Sequence, residues 1–315
     1  MSTPPAIQTQ GLGKTYLSGF LRRPFVGLAD LTLTVPEGVT FGFVGPNGAG
    51  KTTTIKMLMG LQAPTAGTAA IFGVPISDPA SRAAVGFMPE RPYFYEHLTA
   101  WEFLEFYARL SGVAAGVRAA RINTLLERVE LARFRNVALR KFSKGMLQRA
   151  GIAQALVGDP RLVVLDEPMS GLDPLGRVLV RDLILEERKA GRTVFFSSHI
   201  LSDVEQLSDR VAIVVGGRLR EEGAVRDLVG STARSADITY VGSAELPGGE
   251  LLRADETGRT VRVAPDQVDA ACRAILGAGG SVLEVHRNVP SLEEVLLTEV
   301  ERVRLVNEKQ LGVLA

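Results

Sequence analysis

Along residues 5–45 apolar and polar positions alternate in the manner of strands interrupted by turns. Leu31, Leu33 and Val35 share one face of such a strand, because successive strand side chains point to opposite sides. Pro36-Glu37-Gly38 supplies a turn, and 39–44 is a largely apolar run predicted as a buried strand. A glycine-rich loop follows, and 51–60 is predicted to be helical. Residues 61–73 give loop and then strand, punctuated by Pro64, Gly67 and Gly73.

From about 99 to 140 the period changes. Trp101, Leu104, Phe106 and Leu110, then Ile122, Leu125, Leu126 and Val129, recur at three- and four-residue spacing, which predicts helices. A helix near 146–157 precedes a buried strand at 162–165; a helix at 174–190 leads to a strand at 193–197. Strand, helix and strand in this rhythm imply a parallel sheet covered by helices. Past a boundary near Gly230-Ser231, three short strands (238–241, 251–254, 260–263), a helix at 266–277, a strand at 281–286 and a final helix from 291 form a small α+β module. The predicted domains are therefore 1–230 and 231–315, with a helical subdomain at about 91–157 inside the first. In the final helix Leu292, Leu296, Val300 and Val303 make one apolar stripe, suited to packing within its own domain or on a partner.

Composition narrows the function classes. The 36 basic and 35 acidic side chains nearly cancel, so the basic excess of a sequence-independent nucleic-acid binder is absent, and no nucleic-acid partner is expected. Cys272 is the single cysteine, which suits a reducing compartment. No stretch of about 18 uncharged apolar residues is present, and the N-terminus lacks a signal-peptide pattern. If the protein serves a membrane process, the spanning part is expected in another chain. No internal repeat is visible.

Two motifs carry chemistry. Gly45-Pro46-Asn47-Gly48-Ala49-Gly50-Lys51-Thr52 fits G-x-x-x-x-G-K-[ST], with Thr53 and Thr54 opening the helix. Glycines let successive N–H groups face one anion, and the helix N-terminus adds its dipole. Lys51 is placed for the β- and γ-phosphates and the Thr52 hydroxyl for Mg²⁺. The second motif is the apolar strand 162–165 ending in Asp166-Glu167, at the strand end where open α/β sheets bind ligands. Asp166 is expected to hold Mg²⁺ through its water shell and Glu167 to act as general base on the attacking water.

Those motifs define a nucleotide hydrolase and no more. The selective segment is Phe142-Ser143-Lys144-Gly145-Met146-Leu147-Gln148-Arg149. Here the chain resembles the ABC (ATP-binding cassette) ATPases, whose signature Leu-Ser-Gly-Gly-Gln precedes a helix carrying Gln-Arg; the likeness runs from about residue 7 to 230. It implies an α/β fold: a P-loop NTPase core with an antiparallel β subdomain and a helical subdomain, here followed by the small C-terminal α+β domain. It implies ATP and Mg²⁺ as ligands, and a head-to-tail pair of chains. In that pair, Ser143 and the Gly145 backbone meet the γ-phosphate held by the other copy. It further implies that Asp173, in Ser170-Gly171-Leu172-Asp173, belongs to the loop coupling the two sites. His199 is by the same token the switch histidine contacting the γ-phosphate and the water, and Tyr16 the aromatic stacked on adenine; the alternative for Tyr16, next to what looks like an insertion at 17–26, is an edge-strand aromatic. His97 and His286 have no motif around them.

Two departures from the family pattern stand out. Glu90 occupies a position usually held by Gln, where it can still reach Mg²⁺ or the water. Lys144 and Met146 replace a usual Gly and Gln. Pro89-Glu90, the Ser-Lys-Gly-Met variant and a helix opening at Pro290-Ser291-Leu292-Glu293 look like those of exporter-type ATPases with separate permeases. The resemblance thus implies a subunit peripheral to the cytoplasmic face of the membrane, with an integral-membrane permease partner meeting the apolar loop around Pro92, Tyr93, Phe94, Tyr95 and Leu98. An importer's ATPase, or a soluble ABC ATPase acting on ribosomes or DNA, are the alternatives.

Overall fold

The structure, a computed structural model, describes residues 4–18, 23–91, 94–229, 235–255, 257–288 and 291–310. It divides into two compact units, Met1–Ala224 with Glu299–Ala315, and Val225–Thr298.

In the first unit, β1 (Ile7–Ser18) and β2 (Arg23–Val35) pair antiparallel. β2 alternates as its sequence predicts, with Leu31, Leu33 and Val35 buried and Thr32 and Thr34 exposed. β3 (Thr40–Val44) is wholly buried and leads through the glycine loop into α1 (Lys51–Leu58). β4 (Ala66–Ile71), β5 (Val74–Pro75) and β6 (Val85–Met88) follow. Then come α2 (Ala100–Leu110), α3 (Ala115–Arg128) and α4 (Lys144–Leu156). The core resumes with β7 (Leu162–Asp166), α5 (Pro174–Lys189), β8 (Thr193–Ser198), α6 (Leu201–Leu207), β9 (Arg210–Val215) and β10 (Arg218–Ala224).

These strands form one ten-stranded sheet in the order β5-β4-β1-β2-β10-β9-β3-β8-β7-β6. Its β9-β3-β8-β7-β6 half is parallel, and β5-β4-β1-β2 is antiparallel. The fold is therefore α/β with an antiparallel β subdomain and a helical one. β6, β9 and β10 lie beyond the strands predicted from sequence. Val211–Val215 is a short apolar run that periodicity alone cannot assign; its pairing with β3 makes it a strand.

The parallel half sits in a core where Phe41 and Phe43 pack on Phe195 at 5.9 and 5.4 Å between ring centroids. Rings buried this fully contribute about 1.5–3 kcal/mol each. α2 starts where the sequence places it because Thr99 and Glu102 form a capping box. The region 99–140, predicted as helical throughout, is broken between α2 and α3 at Gly112, which takes φ +71°.

The second unit has α7 (Val225–Val229), β11 (Ser235–Val241), β12 (Glu250–Asp255), β13 (Gly258–Val263), α8 (Val268–Gly277) and β14 (Ser281–Asn288). Its four strands run β12-β13-β11-β14. Ala236, Ile238 and Tyr240 of β11 bury one sheet face with Val261, Val263 and Ile275. The last helix, α9 (Leu292–Gln310), is divided between the units at Glu299. Along its apolar stripe Leu292 is buried and Leu296, Val300 and Val303 are half-buried. Pro290 lies outside the described residues.

An alternating chain of charges ties the helical part to the core. The buried Glu187 of α5 accepts from Arg128 of α3 at 2.6 Å and from Arg192 ahead of β8. Arg128 also meets Glu186, Arg192 meets Asp159, and Asp159 meets Arg121 of α3. Removing one member of a buried pair leaves the other uncompensated. Glu187→Ala is therefore expected to lower unfolding free energy by about 3 kcal/mol, read by urea denaturation; a loss no larger than that of Glu105→Ala, whose half-buried carboxylate pairs with the exposed Arg109, would contradict it.

Candidate active site

The loop 45–50 leaves the C-terminal end of β3 and wraps the start of α1. Gly45 has no room for a side chain: a Cβ there would stand 2.1 Å from the Val214 carbonyl oxygen of β9. Gly50, the α1 N-cap, takes φ +104° and closes on the Gly27 carbonyl. Both glycines are thus demanded by close backbone approach. Lys51 folds back, donating to Gly45 O at 2.7 Å, and is itself buried. Asn47 and Gly48 are exposed at the loop's tip, Pro46 is half-buried, and Ala49 is buried.

Phe25, Gly27, Asn47–Thr53, Glu90, Glu167, Ser170 and His199 line one cavity of about 500 Å³, a volume within the range of small-molecule sites. It therefore gathers most of the residues predicted for the phosphates and the chemistry. Glu167 Oε1 stands 3.5 Å from Lys51 Nζ, and Glu167 Oε2 lies 2.7 Å from His199 Nδ1. A carboxylate held between a cation and an imidazole, at the edge of a cavity, can take a proton from a water in that cavity. Glu167 has φ +51°, a left-handed backbone that is strained for a non-glycine residue.

That backbone is held from two sides. Ser197 Oγ of β8 accepts from the Glu167 N–H at 2.9 Å and donates to Asp166 Oδ1 at 2.6 Å. Gln148 of α4 donates through Nε2 to the carbonyls of Glu167 and Pro168 at 3.2 and 3.0 Å. Neither positioning residue was found from sequence: Gln148 lies inside the signature segment and Ser197 ends a predicted strand, but only the fold aims them at residue 167.

Asp166 is buried at the end of β7, with Thr52 Oγ1 3.4 Å from its Oδ1. Burial raises its pKa above the ordinary carboxylate value, as do Glu90 and Glu167, against the hydrogen bonds from Ser197 and Thr52. The donor set fits a divalent cation, because a buried carboxylate among further carboxylates lacks countercharge and a hydroxyl stands beside it. Among the described residues no group of three or more His, Cys, Asp or Glu could hold a metal ion alone. Mg²⁺ keeps waters and takes phosphate oxygens alongside one or two carboxylates.

Tyr16 is placed differently from the cavity residues. It is half-buried, and its hydroxyl donates to Gln62 Oε1 at 2.6 Å and lies 3.2 Å from Thr53 Oγ1. The signature lies at a second cavity, of about 820 Å³, lined by Ser143, Lys144, Gly145, Met146, Gly171 and Asp173 among others. Ser143 caps α4 by accepting from the Met146 N–H at 3.2 Å, and Asp173 caps α5 by accepting from the Gly176 N–H at 2.8 Å. No lining residue is shared with the first cavity.

Comparison with known proteins agrees with this geometry. Residues 28–170 match the ABC transporter domain. Over 311 residues the chain is 40% identical to an uncharacterized ABC transporter ATP-binding protein of Nostoc sp., covering 96% of this chain and 91% of that protein. It is 34% identical over 276 residues to Nod factor export ATP-binding protein I of Cupriavidus pinatubonensis, covering 85% and 84%. A dimeric ATP-binding cassette, solved in a post-hydrolysis state bound to ADP and Pi, superposes with a TM-score of 0.65 at 25% identity, over 70% of this chain and 99% of that one. The chain belongs to the ABC transporter family, as an ATP-binding subunit that hydrolyses ATP. The ATPases of this family dimerise and pair with membrane permeases.

The charge on Asp166 costs stability in the absence of a cation. That cost is present in full above its folded pKa and fades as pH falls towards the unfolded value near ~4. Asp166→Asn is expected to raise the urea midpoint of the nucleotide-free protein at pH 8, with a gain that shrinks as the pH is lowered. A variant less stable than the parent at pH 8 would contradict this.

Proposed function

We propose that this chain is the ATPase of an exporter, closing as a head-to-tail pair on two MgATP and driving a separately encoded permease. The observation carrying the reading is that one chain holds two different half-sites. One has the phosphate loop with Glu167 and His199; the other has Ser143–Met146 beside the 171–173 loop. Neither half is complete alone, and a head-to-tail pair would join each to its complement. The relative solved as a dimer with ADP and Pi supports the pairing of two cassettes. We read 1–230 as the ATPase domain and 231–315 as an accessory module.

The loop amides and Lys51 bind the phosphate chain, with Thr53 at the start of α1 beside it. Thr52 and Asp166, with Glu90 near them, would hold Mg²⁺, which would supply positive charge against the phosphates. Glu167 accepts a proton from the water whose oxygen attacks the γ-phosphorus, and the bond from that phosphorus to the oxygen bridging the β- and γ-phosphates breaks to give ADP and phosphate. His199 fixes the Glu167 carboxylate through its 2.7 Å contact. Ser143 and the Gly145 N–H meet the γ-phosphate of the opposite copy, where the Lys144 ammonium replaces a glycine and Met146 a glutamine. Asp173 holds the connecting loop by capping α5.

Export is supported by the Nod factor export relative and by Glu90, Lys144 and Met146 at the variant positions. The permease contact, and with it location at the cytoplasmic membrane face, rests on the loop before α2. No described helix is long and apolar enough to cross a membrane. Pro92 and Tyr93 lie outside the described residues. Phe94 packs edge-on against Phe103 at 5.0 Å, so it supports the helix rather than a partner. Tyr95 and Phe106 pack together at 5.6 Å and remain half-exposed; they are the stronger contact candidates.

Glu167→Gln is expected to lower ATP turnover by at least ~10²-fold, the scale of a general base, with ATP affinity retained and an ATP-dependent dimer accumulating in sedimentation. Turnover near the parent's would sink the mechanism. Tyr95→Ala with Phe106→Ala is expected to abolish export by cells while basal phosphate release by the purified subunit is unchanged; loss of both activities would mean that the rings serve folding.

A further inference from the structure

The 170–173 loop and the turn carrying His199 each open a helix, and the two helices pack against each other. Asp173 caps the first turn of α5, and α6 starts two residues after His199. One polar rung joins them: Arg181 of α5 donates to Gln206 Oε1 of α6 at 3.4 Å. One turn nearer the site, Arg177 and Asp203 hold the corresponding positions, because residues three or four apart share a helix face.

This second rung is not made. Asp203 Oδ2 is closed off from water and has no hydrogen-bond partner among the described residues. Arg177 is half-buried and forms no ion pair among them. Burial pushes the Asp203 carboxyl above the ordinary carboxylate value, while Arg177, Arg181 and His199 favour its charged form. An acid in the first turn also suits the dipole of α6, but that role requires no sequestered oxygen. A buried acceptor left without a bond calls for a reason. Here two guanidinium groups and an imidazole surround it, and a small shift of one helix along the other would complete the rung.

We propose that Asp203 is a positioning residue for His199, closing an ion pair with Arg177 when nucleotide fills the site. The pair ties the turn that carries His199 to the helix opened by the 170–173 loop, so that each fixes the other. A phosphate chain that draws His199 inward supplies the differential contact such a shift requires. Asp203 acts through the first turn of α6, while His199 alone meets Glu167, at 2.7 Å through Nδ1. This inference rests on the reading of Glu167 and His199 as the hydrolytic pair.

Three measurements on the full-length protein separate positioning from folding: turnover at saturating MgATP, affinity for a non-hydrolysable ATP analogue, and melting temperature. Asp203→Asn and Arg177→Gln are each expected to lower kcat about tenfold, the scale of one coupled pair, with affinity and melting temperature near the parent's. The double variant is expected to lose no more than either single one, and Asp203→Glu to keep most of the rate. In a His199→Ala background, Asp203→Asn is expected to change kcat no further. A parental kcat in Asp203→Asn, a lowered melting temperature as its only effect, additive losses in the double variant, or a further loss on top of His199→Ala overturns the proposal. A His199→Ala variant that turns over ATP like the parent would instead overturn the reading of the hydrolytic pair.

Discussion

Everything around the site is arranged to keep one carboxylate charged where water does not reach it. Asp166 ends an apolar strand, fully surrounded, with two more carboxylates in range and only hydroxyls as direct partners. Such a group is tolerable when ligands bring compensating charge, and the neighbouring elements follow from that need. β8 contributes Ser197, which touches Asp166 and the following amide at once. α1 contributes Thr52 beside Asp166 and Lys51 beside Glu167. The parallel order β3-β8-β7 brings these strand ends together, because only a parallel sheet puts successive C-terminal ends on one edge.

The same edge explains why the site could be found from sequence. Gly45–Thr52 and Asp166-Glu167 are each contiguous, and each is forced by local chemistry: glycines at tight backbone approaches, acids after an apolar run. His199 follows a predicted strand, and the fold sets its ring against Glu167. The alternation in β2 and the three- and four-residue spacing from about 99 made those elements equally legible.

What stayed hidden depends on contacts between distant segments. Gln148 reaches residue 167 only because α4 packs beside β7, and a glutamine in a helix announces nothing of that. Phe25 sits in a stretch that looked like an insertion, and its cross-strand register with Tyr16 is set by irregular pairing along β1. β9 was invisible for another reason. An apolar pentad flanked by Arg210 and Gly216 carries no period, and its neighbour β3 lies far away in the chain.

The left-handed backbone at Glu167 has a consequence for how such a chain ages. A non-glycine residue held there costs about 1 kcal/mol of strain, and the adjoining buried charge adds to it. An amide at Asp166 would relax the fold while silencing the chemistry, whereas Glu167 also offsets the buried Lys51. Copies freed from selection for ATP turnover would therefore drift towards sturdier, inert relatives. Persistence of Asp166 in a lineage is then a signature of use, since folding alone favours its loss.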